Sequence, residues 1–212
     1  MRGMTTLGAD GFIDKYNIFK VSFKMSHDDL KRNLIRIIRE RSYREGDFTL
    51  SSGQKSKFYI DLKNTTLFPA GADLIGRLTV PYLRDGVIKA GAVGGLTLGA
   101  DPIVTAVSLR AFDFGIELPA VIVRKESKSH GTQQFLEGAE RLAPKTKFLV
   151  VEDVTTTGAS AIAACERIEA AGHAVEAILT VVDREQGAAA VFEERGYRFF
   201  ALTTLTEISA AN

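Results

Sequence analysis

A doubly wound α/β domain, its mainly parallel sheet flanked by helices on both faces, with a small N-terminal hood, is the fold class the sequence predicts. Three observations predict it. Near-continuous apolar runs at 118–123, 147–151, 175–182 and 198–202 are separated by segments of helix length, and such runs mark strands covered on both faces of a parallel sheet. Ahead of them, Phe48 to Asp61 reads as a Ser/Gly-rich turn between two short extended runs, a hairpin pattern that belongs to a cap and not to a parallel sheet. No repeat or linker divides the 212 residues, a length at which single α/β domains are common.

In chain order, residues 1–25 form an N-terminal extension without an assigned role. The start, MRGMTTLGADGFIDKYNIFKVSFK, carries Asp10 and Asp14 and lacks the basic, apolar, small-residue order of a secretory signal. A single domain is expected over 26–212, with the hood at about 26–66 and the core at about 67–208. From Ser26, Asp28 and Asp29 stand where a helix N-terminus favours acidic groups, and Leu30, Leu34, Ile37 and Ile38 then recur at helical spacing, which predicts an amphipathic opening helix. FTLSSGQKSKFYID follows as the hairpin. Residues 71–85 form a second helical pattern, and Val87 to Val93 leads into the glycine-rich GGLTLGADPI. The stretch 125–146, beginning KESKSHGTQQFLEGAERLAP, is polar and lacks a strand or helix stripe. A loop that long in a compact domain is functional or disordered.

Lys and Arg number 27 against 26 Asp and Glu, a net charge of +1, so no whole-chain field draws the protein to nucleic acid or a membrane surface. Any bound anion must be held locally. The single cysteine, Cys165, excludes an internal disulfide and a thiolate zinc cluster. No apolar stretch reaches the length of a membrane span, and a cytoplasmic location is expected. Cys165 falls on an apolar helix face and reads as core, while His27 and His173 have no metal-spaced partners.

The strongest chemical signal is FLVVEDVTTTGASAIAACERIEAAG, residues 148–172. It runs from a buried strand through the acidic pair Glu152 and Asp153 and a hydroxyl-rich turn to a helix whose face is Ala161, Ala164, Cys165 and Ile168. Such a turn offers unpaired N–H groups, the positive end of a helix dipole and three hydroxyls, which together suit a phosphate. The plainer alternative is a strand-to-helix connection whose threonines cap the helix. That alternative leaves two adjacent acids at the end of an apolar strand unexplained. Carboxylates repel a phosphate, so their partner would be ribose hydroxyls, a Mg²⁺ ion or a developing positive charge.

Two further segments carry charge where apolar runs end. Arg124, Lys125, Lys128 and His130 in VRKESKSHG form a local anion trap suited to pyrophosphate, or else a solvated loop whose charges offset Glu126. Arg184 in VVDREQGA can clamp a carboxylate through two parallel hydrogen bonds, or pair with Asp183.

VVEDVTTTGAS resembles the signature by which type I phosphoribosyltransferases bind phosphoribosyl pyrophosphate (PRPP), while the P-loop and dinucleotide glycine motifs are absent. RKE-x-K-x-HG, DREQG and FTLSSGQKSKFYID, in that family's order, resemble the catalytic loop, base-contacting segment and hood of orotate phosphoribosyltransferases. The resemblance spans roughly residues 27–208. It implies the type I phosphoribosyltransferase fold and Mg²⁺-dependent transfer of the phosphoribosyl group from PRPP to orotate, giving orotidine 5′-monophosphate and pyrophosphate for pyrimidine biosynthesis.

By resemblance, Glu152 and Asp153 bind the ribose hydroxyls, and Val154, Thr155, Thr156, Thr157, Gly158, Ala159 and Ser160 hold the 5-phosphate. Arg124, Lys125, Lys128 and His130 meet pyrophosphate, with Lys128, Arg124, His130 and Asp153 as the catalytic set. Arg184, Thr156, Tyr59, Ser52 and Gly53 face orotate. Mg²⁺ is held mainly through PRPP, with no dedicated protein ligands, and a homodimer shares its loops across the interface. Some members carry lysine where this chain has Ser51 and Gly99, which puts a charged contact in doubt at each. Two alternatives stand beside this reading: transfer to another base, and a PRPP sensor without catalysis, which would need no cationic loop and would carry a nucleic-acid surface.

Overall fold

The structure, a computed structural model, describes residues 25–49, 55–126 and 135–211. Its first element is α1 (His27–Arg41), which buries Leu30, Leu34, Ile37 and Ile38, the positions chosen by helical spacing. Ser26 caps it: the Ser26 side chain accepts from Asp29 N while Asp29 returns a bond to the cap backbone, so two orphan donors are satisfied reciprocally. The hairpin follows as β1 (Tyr43–Thr49) and β2 (Lys55–Ile60), an antiparallel two-stranded sheet with a register shift between Glu45 and Phe48. Tyr43 stacks on Phe58 with ring centres 5.7 Å apart, and Asp61 N donates to Ser42 O at 3.0 Å. These contacts close the base of the hairpin, and Tyr43 is buried in one cluster with Leu34 and Leu74.

Next come the short α2 (Lys63–Thr66), α3 (Pro69–Arg84), β3 (Ala92–Leu96), α4 (Asp101–Phe112) and β4 (Ala120–Val123). They are followed by β5 (Leu136–Glu137), β6 (Lys147–Thr155), α5 (Ala159–Ala170), β7 (Ala174–Asp183), α6 (Ala188–Glu194), β8 (Phe199–Thr204) and α7 (Leu205–Ala210). The main sheet runs β5-β4-β3-β6-β7-β8, and every pairing is parallel except that of β5 with β4. The period-2 alternation of the central strands divides the core between two faces. Leu149 and Val151 of β6 join Leu34, Leu74, Ile75 and Val104 from α1, α3 and α4 on one side. Phe148 and Val150 join Ala164, Cys165, Ile168 and Phe192 from α5 and α6 on the other. The expected doubly wound sheet is therefore present, with helices on both faces.

Three local expectations need correction. The polar stretch 125–146 contains β5, whose two residues pair with Ile122 and Val123; two residues are too few to show a period. The third strand is Ala92–Leu96, sequence AVGGL, so two glycines lie inside it. A Cβ on Gly95 would collide with Ala100 Cβ and Val151 O, so this strand needs glycine for close approach. Finally, β6 does not stop at Val151 but continues through the acids to Thr155, because Val154 and Thr155 pair with Val182 and Asp183 of β7.

Among the described residues no helix is long and apolar enough to cross a membrane.

Candidate active site

Ignoring the antiparallel edge strand, the chain winds outward from β3 to β4 in one direction and through β6, β7 and β8 in the other. The order reverses between β3 and β6, and the carboxyl ends of strands at such a switch point open onto a crevice where α/β sheets bind ligands. Glu152, Asp153 and the turn after Leu96 meet there.

Glu152 is only 6% exposed. Its Oε1 accepts from Asp153 N at 3.3 Å, while its Oε2 is buried without a hydrogen-bond partner. Burial first, and then the neighbouring Asp153 carboxyl, push its pKa well above the ordinary carboxylate range, because desolvation disfavours the charged form. Asp153 is half-buried, and its Oδ1 accepts from Val154 N at 2.8 Å. Against it stands Gly99: a Cβ there would lie 2.7 Å from Asp153 Cγ and 2.8 Å from both carboxylate oxygens. The Thr97–Leu98 peptide in this turn is cis.

A concavity of about 90 Å³ beyond the acids is lined by Glu152, Val154, Thr155, Thr156, Thr157, Gly158, Ala159, Ser160 and Ala161. Its floor is Thr155, 2% exposed, whose Oγ1 is a second buried oxygen without a partner. The expectation that threonines might merely cap the helix is not met. The N-cap of α5 is Gly158 at φ +84°, and no side chain caps the helix, which leaves first-turn N–H groups facing the concavity. Gly158 has a packing reason as well, since a Cβ would lie 2.7 Å from the Phe192 ring. Val154 contributes its backbone; its side chain packs on the core.

Arg184 begins the loop after β7. Its N–H donates to Thr155 O at 2.9 Å, so the base-site candidate and the phosphate turn share a backbone bond. Asp183 Oδ1 accepts from Glu185 N at 2.8 Å. Glu185 has a left-handed φ of +58°, and its Oε2 accepts from Thr206 N at 2.9 Å and from Thr206 Oγ1 at 2.5 Å. The turn is thus tied to the start of α7.

Arg124 and Lys125 follow β4. Arg124 Nη1 pairs with Glu137 at 3.0 Å and Arg124 N donates to Phe135 O at 2.8 Å, which binds the two ends of the cationic loop together. Lys125 is exposed, and its charge favours ionised Glu152. Tyr59, 43% exposed, rests against Phe48 with ring centres 5.5 Å apart. Ser51, Ser52, Gly53, Lys128 and His130 lie outside the described residues.

Sequence reasoning passed over two cations. Lys63 Nζ pairs with Asp61 at 2.6 Å; its pKa is raised by that bond first, and also by the charge of Asp153. Its only signal was its place directly after the hood strand. Arg167 Nη2 donates to the Lys125 carbonyl at 3.0 Å, and no local pattern marked it.

Among the described residues no group of three or more His, Cys, Asp or Glu side chains is placed to enclose a metal. Two adjacent acids are too few to enclose Mg²⁺, so a Mg²⁺ here would take its ligands mainly from a bound polyphosphate and water.

No protein-family model matches the chain. An orotate phosphoribosyltransferase of Synechocystis sp. is 47% identical over 179 residues, 84% of this chain and 88% of that protein. That of Nostoc sp. is 45% identical over 179 residues, 84% of this chain and 85% of its own. Among solved structures, orotate phosphoribosyltransferase of Mycobacterium tuberculosis H37Rv in complex with PRPP superposes with a TM-score of 0.70 at 34% identity. That match covers 85% of this chain and 99% of the other.

Proposed function

Since the chain belongs to the orotate phosphoribosyltransferase family, we propose that the crevice at the β3/β6 switch point is where it transfers the phosphoribosyl group of PRPP to orotate. The enzyme is a glycosyltransferase of pyrimidine biosynthesis, and its products are orotidine 5′-monophosphate and pyrophosphate. The observation that carries the site assignment is the pair of buried, unpartnered oxygens, Glu152 Oε2 and Thr155 Oγ1, beside a helix N-terminus without a side-chain cap. An unsatisfied buried polar atom costs about 1–3 kcal/mol, a cost that a bound ribose phosphate would remove.

The first-turn N–H groups of α5 and the hydroxyls of Thr155, Thr156, Thr157 and Ser160 hold the 5-phosphate, with Val154, Gly158 and Ala159 contributing backbone. Glu152 and Asp153 take the ribose hydroxyls. As the bond from ribose C1 to the pyrophosphate oxygen lengthens, positive charge grows on the sugar next to these acids. Bound Mg²⁺ supplies charge neutralisation of the pyrophosphate. Lys125, Arg124 and, by resemblance, Lys128 and His130 receive the leaving group; the ion pair of Arg124 with Glu137 gives it a share in shaping the loop base. Orotate N1 closes on C1 from the opposite face as the C1–O bond breaks and its own proton passes to pyrophosphate or water. Its carboxylate lies on Arg184 and its ring against Tyr59, with Thr156 and, by resemblance, Ser52 and Gly53 completing the contact. Asp153, Arg124, Lys128 and His130 are the proposed catalytic set.

The active unit in this reading is a homodimer. Leu98, Leu109 and Phe112 are 71%, 65% and 77% exposed and, with Thr105, mark one outer stripe of α4 and the turn before it. That turn also places Gly99 on Asp153, so a partner seated on the stripe would lie close to the crevice. The soluble anionic substrates and the single buried Cys165 suit a cytoplasmic location.

The test is loss of orotate absorbance on adding PRPP and Mg²⁺, with adenine, guanine, hypoxanthine, xanthine and uracil as challenges. Orotate consumption that stops on chelation is expected. Turnover of another base alone would overturn the Arg184 assignment.

A further inference from the structure

Arg167 sits on α5, roughly 12 Å along the axis from its first residue at about 1.5 Å per residue. It reaches to the base of the cationic loop. Its Nη2 donates to the Lys125 carbonyl at 3.0 Å, and its guanidinium carbon lies 5.1 Å from the centre of the Phe135 ring. Lys125 and Phe135 stand on opposite sides of that base, joined by the Arg124 backbone bond to Phe135 and the Arg124–Glu137 ion pair. One side chain of α5 therefore grips both sides.

The grip is made of strong parts. A charged donor bonds a carbonyl more firmly than a neutral one, and a guanidinium over a ring face adds a cation–π attraction. Buried Ala164, Cys165 and Ile168 seat the neighbouring turns of the helix against the sheet, so Arg167 projects from a fixed platform. The same helix opens at the phosphate concavity.

From this geometry we propose that Arg167 is a positioning residue that holds Lys125 at the distance from the α5 N-terminus demanded by the two ends of PRPP, its 5-phosphate and its pyrophosphate. The inference rests on the assignment of pyrophosphate to Lys125 above. A PRPP molecule must satisfy both anion sites at once, whereas pyrophosphate alone needs only the Lys125 end and ribose 5-phosphate only the helix end. Disturbing Arg167 therefore separates the three ligands.

The experiment compares the wild-type enzyme with Arg167→Ala, Arg167→Lys and Lys125→Ala in the presence of Mg²⁺. It measures the KM for PRPP, the inhibition constants of pyrophosphate and ribose 5-phosphate, and the melting temperature. Arg167→Ala should raise the pyrophosphate constant and the PRPP KM about tenfold, the scale of one charged hydrogen bond, with ribose 5-phosphate inhibition within about twofold of wild type. Arg167→Lys should recover part of the loss by keeping a charged donor for the carbonyl. If Lys125→Ala weakens pyrophosphate while Arg167→Ala does not, the inference falls and the site assignment stands. If Lys125→Ala has no effect, that assignment falls and takes the inference with it. Equal weakening of both inhibitors together with a lower melting temperature would reduce Arg167 to a general brace and overturn the proposal.

Discussion

Replacing Gly99 with alanine places a methyl group against Asp153, the acid proposed to face the ribose. The new Cβ would stand 2.8 Å from both Asp153 oxygens, whereas ordinary contact begins near 3.5 Å, so the carboxylate must retreat by roughly 0.7 Å. It has little freedom to do so, because Oδ1 is tied to Val154 N at 2.8 Å. Breaking that bond costs about 1.5–3 kcal/mol for a charged acceptor, and a misplacement approaching 1 Å at a reacting centre costs up to about a hundredfold. The expected outcome is a fall in kcat/KM for PRPP of roughly tenfold to a hundredfold, measured from orotate absorbance, with a melting temperature lower by about 3–10 °C. Gly95→Ala is the contrast. Its Cβ collides with Ala100 and a backbone carbonyl in the sheet, and such overpacking costs about 1–3 kcal/mol of stability. A Gly99→Ala enzyme with wild-type kinetics would refute the claim that Asp153 must stay where Gly99 leaves it.

Glu152 makes the substrate-free protein sensitive to alkali. Its unfolded carboxyl ionises near 4.5 while the folded one keeps its proton to higher pH, so stability is greatest below that value and declines as pH rises through the raised one. Glu152→Gln should flatten this decline in melting temperature between mildly acid and mildly alkaline pH, and parallel curves for the two proteins would contradict the assignment. Glu185→Ala, which frees the turn from Thr206, should raise the orotate KM several-fold with the PRPP KM nearly intact, following Arg184→Ala in direction but less steeply; a change confined to PRPP would count against it. If the proposed homodimer seats on α4, Phe112→Asp should yield a monomer of lower activity in sedimentation where the unsubstituted chain sediments as a dimer, and an unaltered dimer would move the interface off α4.

The architecture could be read because its cause is local. Buried parallel strands are apolar on both faces, and the runs at 147–151 and 175–182 signal this without help from the rest of the chain. Strand ends were read less well. The ladder partner decides them: β6 runs on into Glu152 and Asp153 because β7 continues beside it, and an acidic pair gives no strand signal of its own. For β3 the propensity of two glycines was overruled by the close approach of Ala100 and Val151. Within the site, contiguous residues such as Thr155 to Ser160 could be found together, whereas Lys63 and Arg167 act across the fold. A lone cation on a helix or after a strand becomes legible only when its carbonyl or carboxylate partner from a distant segment is in place.

Because Glu152 and Thr155 are rungs of the central sheet, while Tyr59 belongs to a two-stranded ribbon of its own, the two halves of the crevice melt on different clocks. A central strand opens only with the whole domain, but an isolated hairpin is marginal. In amide hydrogen exchange the backbone beneath the ribose acids should therefore report global unfolding, and the hood should exchange early. In the proposed site, the ribose-phosphate floor at Glu152 and Thr155 would thus be ready-made in the free protein, and the cost of ordering would fall on the Tyr59 side.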